Sequence, residues 1–200
     1  MEFPIEEVIT AIVKPAAKTI GRLIGDLRKP DDDEADENGD RKDNVKKAVL
    51  ILTQETQAKK SCHVEQFVKN TIYNPECELE DSTIFSFLKD VEQMTWRQFC
   101  LLEGFRRKER TGRDKIEISR YGRSDVDGIS IETEIKKLID LNYLNRHSDS
   151  LRNYMSTEFD DIYLSPLGQE ISKLLDLQSV EIDEIAKAFG GGRVKWQEVR

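Results

Sequence analysis

The sequence predicts a mainly α protein: a helical core followed by a C-terminal unit that carries a small β-hairpin. Three observations predict it. Apolar residues recur at spacings of three and four through most of the chain, the period of one helix face. Alternation is confined to one short run, Phe159-Asp160-Asp161-Ile162-Tyr163-Leu164. Ser or Thr stands just before several of the apolar periods, where a helix needs a cap.

The first element is an amphipathic helix over 1–29. Ile5, Val8, Ile9, Ile12, Val13, Ala16, Ile20, Leu23, Ile24 and Leu27 form its stripe. Pro4 suits the first turn, and Glu6 and Glu7 complement the positive end of the helix dipole. Pro15 predicts a kink, and Pro30 a stop. The face of Ile5, Val8, Ile9, Ile12, Ile20, Leu23, Ile24 and Leu27 fits docking or self-association, with Gly21 and Gly25 allowing close approach. It also fits a membrane surface, with Lys14, Lys18, Arg22, Arg28 and Lys29 meeting anionic lipid.

Residues 30–40 hold seven acids and no base, so 30–42 reads as a disordered acidic linker. Residues 43–94 read as a helical segment. Val45, Val49 and Leu52 share one face, and Cys62, Phe67, Val68 and Ile72 another. Pro75 marks a break, and Ser82 caps a helix carrying Ile84, Phe85, Leu88 and Val91. Thr95 caps the next helix, with Trp96, Phe99, Leu102 and Phe105 on its apolar face. Residues 111–128 have no clear period and read mostly as loop, with room for one short strand or helix. Ser130 caps a helix with Ile131, Ile135, Leu138 and Ile139 on one face, and Asn142 ends it. After the strand ending at Leu164, a helix runs from Pro166 to about Leu177. Ser179 caps a last helix over 180–189, and residues 190–200 form a tail.

Within this order, "IETEIKKLIDLNYLNR" followed by "IYLSPLGQEISKLL" resembles a winged-helix domain, over about 95–177 of a unit spanning 95–189. Asn142-Tyr143-Leu144 stands at the turn that ends the helix before the wing. Leu164-Ser165-Pro166-Leu167-Gly168 stands at the strand-to-helix turn after it. Ser165 caps the last helix, and Pro166 at its first position needs no amide partner. The resemblance implies a β-hairpin wing and a contact helix over Ser130–Asn142 with Glu132, Thr133, Glu134, Lys136, Lys137 and Asp140 facing outward. It covers about 80 residues, and DNA is the first partner it suggests, although so diverse a fold says little about function by itself.

Composition narrows the function. The chain has 200 residues, 31 Lys and Arg, 39 Asp and Glu, and a formal charge of −8. That balance opposes non-specific coating of nucleic acid. One segment runs the other way: 106–123 contains Arg106, Arg107, Lys108, Arg110, Arg113, Lys115, Arg120 and Arg123 against three acids. With Lys136 and Lys137 these residues are the candidate footprint for nucleic acid or an acidic protein segment, the chain's own 31–40 included. Glu132 and Glu134 in the first turn of the contact helix, and acids at the wing base, oppose a phosphate backbone.

Three cysteines make no disulfide framework and fit a reducing cytosol. No apolar run approaches the ~18 residues of a membrane span. The first residues interleave apolar with charged positions, unlike a signal peptide. Cys62-His63 with Cys77 lacks a fourth ligand for zinc, so buried thiols are the simpler reading. Asp125 and Asp127 sit in a run too short for a calcium loop. No phosphate loop, nucleophile elbow or paired metal motif occurs, so no catalytic, cofactor-binding or metal residue is nominated. The expectation is a cytoplasmic, non-enzymatic interaction or regulatory protein. It binds a protein partner or its own copies; nucleic acid is the alternative partner and a membrane surface the third.

Overall fold

The structure, a computed structural model, describes residues 16–27, 37–109, 116–118, 131–146, 162–190 and 194–196. Among these are eight α-helices and two two-stranded antiparallel sheets. The chain divides into two compact units. Unit 1 is Met1–Met94 with Leu174–Asp176; unit 2 is Thr95–Lys173 with Leu177–Arg200.

Unit 1 contains α1 (Ala17–Leu27), α2 (Glu37–Gln54), α3 (Ala58–Asn70) and α4 (Asp81–Gln93). Its core follows the helical period: Val45, Ala48, Ile51 and Leu52 from α2, Val64, Phe67 and Val68 from α3, and Ile84, Phe87, Leu88 and Val91 from α4 are buried. Phe67 and Phe87 meet edge to face at 6.3 Å. Polar contacts fix the helix ends. Asn44 Nδ2 donates to the Asp81 carbonyl at 2.9 Å, and Lys60, almost fully buried, pairs with Glu55 at 2.8 Å. His63, also buried, donates from Nδ1 to the Leu175 carbonyl at 2.8 Å, and Asn70 reaches the Leu174 carbonyl.

Unit 2 is organised around α5 (Trp96–Glu109). Residues 98–105 of this helix are all buried, as expected of a helix enclosed on every side. Thr95 begins it with a reciprocal box: Gln98 N donates to Thr95 Oγ1 at 3.2 Å, and Thr95 N to Gln98 Oε1 at 2.9 Å. Around α5 lie β1 (Ile116–Ile118), α6 (Ile131–Asp140), β2 (Leu144–Arg146), β3 (Ile162–Leu164), α7 (Pro166–Leu174), a 3₁₀ turn at Leu177–Ser179, α8 (Ile182–Ala188) and β4 (Val194–Trp196). Gly104 lets α8 approach: a Cβ there would strike the Phe189 ring, which stacks edge to face on Phe105 at 5.6 Å.

Several expectations are corrected. Helix α2 starts at Glu37, inside the segment read as linker; acids in a first turn favour the helix dipole, so acid content alone does not exclude a helix. The cap of α4 is Glu80, not Ser82, because Glu80 already holds the extended backbone and its carbonyl accepts from Thr83 and Ile84. Helix α7 stops at Leu174, with Asp176 in the left-handed region at φ 52°. Ser179 lies in the 3₁₀ turn, and Glu181 caps α8. The 190–200 tail contains β4, which pairs with β1 in the register Ile116↔Trp196 and Ile118↔Val194. Cys62 is exposed and Cys77 half-buried; only Cys100 is buried. The Pro15 kink, Ser130, Asp125 and Asp127 lie outside the described residues.

Candidate interaction surface

The hairpin and the helices beside it are locked at one point. Helix α6 ends in a Schellman turn: Tyr143 N donates to the Leu138 carbonyl and Asn142 N to the Ile139 carbonyl, both at 2.9 Å. Asn142 takes φ 61°, a conformation asparagine tolerates better than most residues. The chain then pairs β2 with β3, Leu144 opposite Leu164 and Arg146 opposite Ile162. Ser165 joins the two turns. Its N donates to the Tyr143 carbonyl at 3.1 Å and its Oγ to the Asn142 carbonyl at 2.5 Å, while that Oγ accepts from Gly168 N at 2.9 Å and caps α7. Tyr143, Leu144 and Leu164 are buried beneath this lock.

The bond from Ser165 N to the Tyr143 carbonyl sets which backbone groups of β3 face outward. Hydrogen-bonded and outward-facing pairs alternate along an antiparallel ladder, so Ile162 and Leu164 turn their polar groups away from β2. The end of α5 meets them. Lys108 Nζ donates to the Ile162 carbonyl at 3.1 Å, and Leu164 N donates to the Glu109 carboxylate. Charged side chains thus close this edge of the hairpin to another strand.

That arrangement changes the reading of the basic segment. Glu103 is fully buried and faces two guanidinium groups. Arg106 grips it with two bonds, at 2.6 and 2.7 Å, and Arg107 Nε donates to its Oε1 at 2.5 Å. Arg107, itself buried, also donates to the Gln178 and Val180 carbonyls, at 3.0 and 2.7 Å. Arg106, Arg107 and Lys108, three of the nominated residues, therefore each bond within unit 2. Arg110, Arg113, Lys115, Arg120 and Arg123 lie outside the described residues.

On α6, Lys136 and Lys137 are exposed, with Glu132, Thr133 and Asp140 beside them. Glu134 is not: it is 2 % exposed, and Lys137 lies 3.9 Å from it. Sequence reasoning placed Glu134 outward and missed Glu103 as a structural anion. The readable signal for Glu103 was its spacing of three and four from two arginines, the separation at which helical side chains meet.

The N-terminal stripe turns into unit 1. Ile20 and Leu23 are buried and Ile24 and Leu27 half-buried, so the first two present no free apolar face for lipid or for a coiled pair. Ile5, Val8, Ile9 and Ile12 lie outside the described residues. Among the described residues, a Cβ at Gly21 or Gly25 would have no neighbour within 4 Å. Thr19 Oγ1 donates to Glu65 at 2.7 Å, Tyr73 donates its hydroxyl to Asp26 at 2.9 Å, and Arg22 lies 3.8 Å over the Tyr73 ring.

Burial raises the Tyr73 pKa well above the usual phenol value of 10.0, and the bond to Asp26 adds to the shift. A raised folded-state pKa means the protonated phenol stabilises the fold fully below about pH 10. That contribution is lost as the pH climbs from there through the folded-state value. Phenolate absorbance should therefore show a tyrosine that ionises only well above pH 10 and that is missing from Tyr73→Phe. Ionisation of all tyrosines together near pH 10 would refute the contact.

Among the described residues no cluster of three or more His, Cys, Asp or Glu could hold a metal ion, and no helix is long and apolar enough to cross a membrane. No family model, curated protein or solved structure matches the chain.

Proposed function

We propose that the protein is a non-enzymatic interaction module whose unit 2 is a winged-helix-like domain that contacts protein, a partner or its own copies, in preference to nucleic acid. One observation carries this reading: Arg106, Arg107 and Lys108, the core of the basic segment, are bonded to Glu103, to the Gln178 and Val180 carbonyls and to the edge of β3. Cations held this way are not free to neutralise phosphates, and each one withheld removes a share of the counterion release that drives nucleic-acid binding. The exposed face of α6 mixes Glu132 and Asp140 with Lys136 and Lys137, which suits the polar rim of a protein interface better than a polyanion.

The test is fluorescence anisotropy of labelled random duplex DNA and single-stranded RNA, titrated with the full chain at low salt. The expected result is no saturable binding. Binding with an affinity that falls steeply as salt rises would overturn the reading in favour of a nucleic-acid regulator.

A further inference from the structure

We draw no further inference here: the strongest candidate, the exposed face of α6 that carries Glu132, Lys136 and Asp140, belongs to the surface already described, and nothing in the structure shows what covers it.

Discussion

Replacing Glu103 by alanine is expected to destabilise unit 2 by about 3–5 kcal/mol, the usual cost of stranding a buried charge. The carboxylate is fully buried between Arg106 and Arg107. Arg106 is part-exposed and can turn to water. Arg107 cannot do so without leaving the Gln178 and Val180 carbonyls, which hold the turn before α8. The loss should appear as a lower midpoint in urea with an unchanged slope. Replacing both members, Glu103→Met with Arg107→Met, should recover part of the loss but not all, because the two carbonyls lose their donor. A Glu103→Ala chain within about 0.5 kcal/mol of wild type, the range of an ordinary surface change, would show that the triad contributes nothing.

The second large effect is expected at Gly168. A Cβ there would overlap the backbone carbonyl of Tyr143 and lie 2.9 Å from the Leu164 side chain. A side chain in the way can rotate, whereas a carbonyl fixed by Ser165 N cannot move without opening the lock between the two turns. Gly168→Ala should therefore cost about 2–3 kcal/mol, at the upper end of overpacking, despite alanine's better helix propensity. Gly104→Ala meets the tip of the Phe189 ring instead, which can shift, so its cost should be the smaller of the two. Equal stability of the Gly168→Ala chain and wild type would contradict the close approach.

What was legible in the sequence was local. Thr95, Ser165 and Asn142 cap or end their helices through bonds to residues three positions away, so those roles follow from the order of residue types. The apolar faces of α3 to α6 were readable for the same reason. What escaped depended on distant chain. Nothing near β4 announces a strand, because its partner is almost eighty positions away and its three residues are too few to show alternation. Glu134 looks like any charged residue on an amphipathic helix, and burial is decided by what packs on it. The internal bonds of Arg106, Arg107 and Lys108 were hard to read for a related reason: a basic helix end normally means solvent and the helix dipole. Here the acid that claims them comes earlier on the same helix, and the carbonyls come from segments more than fifty residues later.

Paired urea unfolding tests most directly whether those cations hold the fold or face a ligand. One chain carries Arg106→Gln, Arg107→Gln and Lys108→Gln; the other carries Lys136→Gln alone, since Lys137 faces the buried Glu134. The first is expected to lose about 3 kcal/mol or more, through the stranded Glu103 and the unplugged edge of β3, while the second stays within about 0.5 kcal/mol of wild type. If the first chain instead keeps wild-type stability, the three residues are a free basic surface and the proposed function loses its support.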